Sequence, residues 1–196
     1  ASDLDIYARI WNPTTNTLGT AFAVFGGGLN ERTPDVATLT NGNYVVVASR
    51  TETTGSSIVY SIINPAGTEV LPYSFVTGTQ TDGDADSSPS VTALAGGGFV
   101  VAFQSAGFYN IHIYNAAGTQ VGQDYFGLSN SLFNQPSVTS LPDGTFIVVY
   151  DNDTSRNSQH AAHYAANGTL LGDFTYGGGG SEPAVVALAD GRFAVT

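Results

Sequence analysis

Apolar and polar positions alternate along this chain in a phrase that occurs four times. It reads PDVATLTNGNYVVVA from Pro34, PSVTALAGGGFVVAF from Pro89, PSVTSLPDGTFIVVY from Pro136 and PAVVALADGRFAV from Pro183. Counting each proline as zero, Val falls at +2 (Val36, Val91, Val138, Val185) and Leu at +5 (Leu39, Leu94, Leu141, Leu188). Gly follows at +8 (Gly42, Gly97, Gly144, Gly191) and an aromatic at +10 (Tyr44, Phe99, Phe146, Phe193). The alternating stretch predicts a strand with one buried face, the glycine a tight turn, and the dense apolar run a second strand covered on both faces. A proline at the start of the first strand costs no ladder hydrogen bond.

A second hairpin phrase follows the first: YSIINPAGTEV from Tyr60, IHIYNAAGTQV from Ile111 and AAHYAANGTLL from Ala161. Two hairpins per unit give four strands, the content of one propeller blade. Steps of 55, 47 and 47 residues between the prolines suit a repeat architecture. The sequence therefore predicts an all-β chain forming one domain over 1–196. It divides into a half-blade at 1–33, repeats from 34, 89 and 136, and a half-blade at 183–196. Pairing of the two halves closes a β-propeller of four blades with four antiparallel strands each, which removes exposed sheet edges. The alternative is part of a larger propeller. No stretch holds apolar residues at helical spacing for three turns.

These phrases resemble the repeats of large bacterial secreted proteins of the calcium-binding hemolysin type (RTX-like) and of related adhesins. The likeness is carried by PSVTALAGGGFVVAF together with IHIYNAAGTQVG and extends over essentially the whole chain. It implies a secreted or cell-surface location, a calcium-rich setting, and a role in adhesion, polysaccharide contact or surface architecture. The chain departs from the family in lacking the glycine nonapeptide that binds calcium there. GGGGSEP and GGGLNERTP have no Asp at its place, so calcium by that route is not implied.

Charge narrows the partners. Sixteen Asp and Glu stand against five cations, all Arg, for a formal net charge of −11. Nucleic acid is excluded as a partner because the basic footprint that phosphate binding needs is missing. Divalent cations are attracted. No apolar run is long enough to insert in a membrane, and the absence of cysteine rules out disulfides, zinc thiolates and a thiol nucleophile.

Candidate chemistry lies where the repeat breaks. In DGDADSS, Asp82, Asp84 and Asp86 alternate, a spacing with which a flexible loop can wrap a calcium ion; the plainer reading is a solvated acidic turn. In SAGFYN, Phe108 and Tyr109 offer rings for a sugar to stack on and Asn110 an amide for its hydroxyls, although packing between strands is the commoner use of such rings. Asp151, Asn152 and Asp153, at the end of FIVVY, are candidate ligand contacts; Arg156 beside them pairs as readily with a neighbouring carboxylate. His160 and His163, three apart on a strand, point to opposite faces, which disfavours a shared metal. No G-x-S-x-G elbow or triad spacing marks a hydrolase, and paired carboxylates leave no trace in sequence.

The leading reading is a non-enzymatic extracellular binding and adhesion module that recognises glycan or a cell-surface partner with help from calcium. The second is a structural subunit that self-associates as a homo-oligomer or caps an extracellular assembly. The third is a polysaccharide-active enzyme.

Overall fold

The computed structural model describes residues 3–77, 85–126, 135–151, 158–178 and 182–196. The chain is all-β and runs as a succession of antiparallel meanders. An N-terminal hairpin is built from β1 (Ile6–Ala8), β2 (Trp11–Asn12), β3 (Thr17–Leu18) and β4 (Phe22–Phe25), with β1 pairing β4 and β2 pairing β3. Three four-stranded sheets follow. The first holds β5 (Glu31–Thr38), β6 (Tyr44–Glu52), β7 (Gly55–Ile63) and β8 (Glu69–Phe75), in that order across the sheet. The second holds β9 (Ser87–Ala93), β10 (Phe99–Ser105), β11 (Phe108–Tyr114) and β12 (Gln120–Phe126), and the third β13 (Ser137–Ser140), β14 (Phe146–Asp151), β15 (Gln159–Tyr164) and β16 (Leu170–Gly177). A last hairpin pairs β17 (Val185–Ala187) with β18 (Phe193–Val195).

The repeated letters have local causes. In each first hairpin the Gly amide bonds back to the Leu carbonyl three residues earlier, as in Gly97 to Leu94 at 2.9 Å. Gly42, Gly97, Gly144 and Gly191 take φ between 86° and 96°, the left-handed region that glycine enters without steric cost. The runs after the turns form the second strand of each sheet. Val45, Val47, Phe99, Val100, Val101, Phe146, Val148 and Val149 are all at 0–1% exposure.

Packing is between successive units. One apolar cluster joins the first sheet to the second through Val47, Ile58, Tyr60, Phe99, Val101 and Tyr114. Another joins the second to the third through Val100, Ile111, Ile113, Phe146, Val148 and Tyr164. Smaller clusters seat the N-terminal hairpin on the first sheet and the last hairpin on the third. The first strands β5, β9, β13 and β17 lie side by side in succession. Side chains of one bond the backbone of the next: Val91 N–H to Asp35 Oδ2 at 2.8 Å, Val138 N–H to Ser90 Oγ at 3.3 Å, Ser140 N–H to Thr92 Oγ1 at 3.1 Å, and Val185 N–H to Ser137 Oγ at 3.3 Å.

The closing blade expected from the two terminal halves is not formed by the described strands. β1 pairs with β4 and β18 with β17, and no ladder joins β1 to β18. Apolar surface accordingly stays open beside the N-terminal hairpin, where Tyr7, Trp11 and Val36 are more than half exposed. An open apolar groove of about 530 Å³ runs there, lined by Tyr7, Trp11, Phe22, Val36 and Val46. Its carboxylate, Asp35, already accepts the Val91 amide.

Candidate functional site

The antiparallel meander puts the start of each first strand, the end of each second and the start of each third at one end of the sheets. The glycine turns occupy the other. The first end gathers Glu31, Arg50 and Glu52 from the first sheet, Asp86 and Tyr109 from the second, and Asp151 from the third. Glu31, Asp86 and Asp151 are at 3%, 0% and 1% exposure. Carboxyl groups buried to that degree are uncommon unless paired or functional.

The densest group surrounds Arg50. Glu31 and Arg50 are direct cross-strand partners on β5 and β6. Arg50 Nε lies 3.8 Å from Glu31 Oε1 and 3.6 Å from Glu52 Oε1, and its guanidinium sits 4.8 Å above the Tyr73 ring and 5.8 Å from Phe75. Tyr73 and Phe75 meet edge to face at 5.2 Å. The N-terminal segment closes the group from the side: the Glu31 amide donates to Leu4 O at 2.8 Å, the Leu4 amide to Asn30 Oδ1 at 2.9 Å, and Asp3 Oδ2 accepts the Gly28 amide at 2.7 Å. Burial pushes the Glu31 carboxyl above the ordinary range, Arg50 pulls it back, and Asp5 and Asp3 push it up again. Among the described residues, Glu31 Oε2, Asp5 Oδ1, Glu52 Oε1 and the Tyr73 hydroxyl are buried without a hydrogen-bond partner. Such atoms are costly to leave unmet unless a ligand or water completes them.

Two stretches singled out from the sequence do meet. The Tyr109 hydroxyl donates to the backbone carbonyl of Asp151, bringing SAGFYN against the end of FIVVY across 42 residues of chain. Tyr109 is only 1% exposed and packs on Tyr150 at 4.5 Å between ring centroids. Its ring is a wall between sheets and offers no face to a sugar. Burial, and then the Asp151 charge, raise its phenol far above the usual range; the same two causes push Tyr176 up to about 12. Phe108 is half-buried, and its carbonyl accepts the Asn110 amide at 3.3 Å. Asn152 and Asp153 lie outside the described residues, as do Asp82 and Asp84.

Asp86, the third residue of the expected calcium loop, is described. Its carbonyl accepts the hydroxyls of Ser56 at 2.6 Å and Ser49 at 3.1 Å, and its amide donates to Ser56 O. Among the described residues no three Asp, Glu or His side chains are gathered in a way that holds a metal. His163 bonds Thr145 Oγ1 at 2.8 Å, while His160 faces the other side of the sheet. His112 packs edge-on against Phe103 and is lowered by burial.

The Arg50 group was not legible in sequence. The repeated phrases include neither Glu31 nor Glu52, and only the pairing of β5 with β6 extends the strands far enough to set them around one guanidinium. The one signal available was their position just outside the repeated phrase, before Pro34 and after YVVVA.

No protein-family model matches the chain, and no curated protein matches it. Solved structures do. One titled "NanB plus Optactamide" superposes with a TM-score of 0.63 at 14% identity, over 94% of this chain and 31% of that one. A Hadza microbial sialidase gives a TM-score of 0.45 at 11% identity, over 100% of this chain and 58% of that one. An exo-β-1,3-galactanase from Phanerochaete chrysosporium with galactose gives 0.45 at 11%, over 82% and 41%. The chain thus spans about a third of the first structure's length, and the likeness is one of fold. The expectation of a non-enzymatic adhesin is corrected on the likeness that carries weight, the one to the NanB structure, which is not titled as a binding or adhesion module.

Proposed function

We propose that this chain belongs to a carbohydrate-active hydrolase, with the Arg50 group as the place where a glycosidic bond is cleaved. The three four-stranded sheets are then propeller blades, and the site lies at their loop-bearing end. One observation carries the reading. Two glutamates flank a single guanidinium in unequal surroundings: Glu31 is 3% exposed and raised by burial, and Glu52, with its side chain 13% exposed, stands nearer Arg50 in an ion pair at 3.6 Å.

Glycoside hydrolysis needs such a division. One carboxyl holds its proton and delivers it to the departing sugar oxygen, while another, ionised, acts from the opposite side as base or nucleophile. Glu31 fits the first role and Glu52 the second. Arg50 holds the pair together, and Phe75 and Tyr73 supply apolar surface beside it. A secreted location, as the repeat resemblance implies, suits a polymeric substrate.

The test is release of reducing ends from a panel of polysaccharides and oligosaccharides. Glu31→Gln and Glu52→Gln are each expected to lower kcat by at least about a hundredfold on the cleaved substrate, with the circular dichroism spectrum unchanged. A folded protein that cleaves nothing in the panel, or a Glu31→Gln variant of undiminished activity, refutes the reading.

A further inference from the structure

A second set of groups, on the third sheet and separate from Arg50, has the connectivity of an acyl-transfer site. Ser158 Oγ lies 2.8 Å from His160 Nε2, and His160 Nδ1 lies 3.1 Å from Asp173 Oδ1. The other oxygen of that carboxylate, Oδ2, accepts the Tyr150 hydroxyl at 2.7 Å. The Tyr150 ring stacks on the imidazole at 5.4 Å and 25°, which fixes the plane of the histidine.

The fold makes this arrangement from three strands. Tyr150 on β14 and His160 on β15 are cross-strand partners. Asp173 on β16 pairs with Ala162, two residues beyond His160 and therefore on the same face. Ser158 stands just before β15, two residues from His160. β16 is the outermost strand of its sheet, so the group opens outward: the His160 side chain is 16% exposed and that of Asp173 35%.

With the proton on Nδ1 shared toward Asp173, Nε2 is left to accept from the serine hydroxyl. That hydrogen bond turns a weak nucleophile into a usable one. We infer that Ser158, His160 and Asp173 form a serine esterase site for a small carboxylic ester, independent of the glycosidic reading. Ser158 Oγ adds to the ester carbonyl carbon while its proton passes to His160 Nε2. The carbon–oxygen bond to the alcohol then breaks, and the alcohol leaves with that proton. Water, losing a proton to Nε2, attacks the acyl-serine; the acid departs and the proton returns to Ser158 Oγ. Asp173 is a positioning residue that stabilises the imidazolium, and Tyr150 holds Asp173.

A fluorophosphonate probe followed by peptide mass spectrometry tests the nucleophile, and p-nitrophenyl acetate tests turnover. Labelling is expected at Ser158 alone, lost in Ser158→Ala and in His160→Gln. Acetate release should fall at least about a hundredfold in both. Asp173→Ala should lose kcat with KM little changed, and Asp173→Glu should recover part of it, a rescue that a purely structural carboxylate would not give. A folded protein that takes no label at Ser158, or whose ester hydrolysis survives Ser158→Ala, overturns the assignment.

Discussion

The four aromatics at the +10 position offer a controlled comparison, because the same letter of the repeat meets different neighbours. Phe99 and Phe146 are at 0% exposure; Phe99 stacks on Tyr114 at 4.8 Å and Phe146 on Tyr164 at 5.2 Å, each inside a cluster shared by two sheets. Tyr44 and Phe193 are half-buried in the first and last copies. Truncation to Ala at either inner position removes a full ring and leaves a cavity that packed sheets on both sides cannot fill, a loss of about 3–5 kcal/mol. At the outer positions only part of the transfer term is lost and solvent enters the gap, so about 1–1.5 kcal/mol is expected. With a urea slope of about 2.5 kcal/mol per molar for a chain of this size, the midpoint should fall by about 1.2–2 M for Phe99→Ala and Phe146→Ala. The outer pair should fall by about 0.5 M. Urea titration followed by far-ultraviolet circular dichroism reads all four. Equal shifts, or larger ones for the outer pair, would refute the idea that stability resides in contacts between successive sheets.

Two further outcomes follow from other residues. Because burial raises the folded Glu31 carboxyl above its unfolded value of 4.5, the folded state keeps a proton that the unfolded chain has lost. This contribution to stability is full below about pH 4.5 and declines as pH rises through the folded value. Glu31→Gln removes the decline, so its melting temperature should exceed the parent's at pH 8, with the gap closing toward pH 4; a gap that widens in acid contradicts the burial. At Gly98 a Cβ would sit 2.1 Å from the carbonyl oxygen of Tyr114, a backbone atom, whereas at Gly96 it would meet nothing within 4 Å. Gly98→Ala is therefore expected to cost about 1–3 kcal/mol or more and Gly96→Ala less than about 0.5 kcal/mol, as read from paired denaturation curves.

The hairpins were legible because their causes are local. Period-two alternation, a glycine at positive φ and an apolar run each report on a few neighbouring residues, and the described strands begin and end close to where those signals change. What the repeat letters bury was not legible. Val91 and Val138 are at 6% exposure, while Val36, at the same repeat position, is 59% exposed, since the short N-terminal hairpin on its side of the first sheet leaves an open groove over it. Ring closure was not legible either: complementary halves in sequence do not oblige their edges to meet, and among the described strands they do not. The functional groups were the least visible. Asp173 reaches His160 only through the register of β15 on β16, and Glu52 reaches Glu31 only around Arg50. Tyr109 looked free because it breaks the repeat, yet that difference is what lets its hydroxyl reach across to the next sheet.

The bonds between neighbouring first strands carry a direction. In each of the four, the accepting side chain comes earlier in the chain than the amide it serves: Asp35 before Val91, Ser90 before Val138, Thr92 before Ser140, and Ser137 before Val185. A ribosome making this protein thus always completes the cap before the backbone that needs it. Each new first strand emerges opposite side chains already in place, and the growing protein need not hold an unsatisfied strand edge while waiting for a later segment.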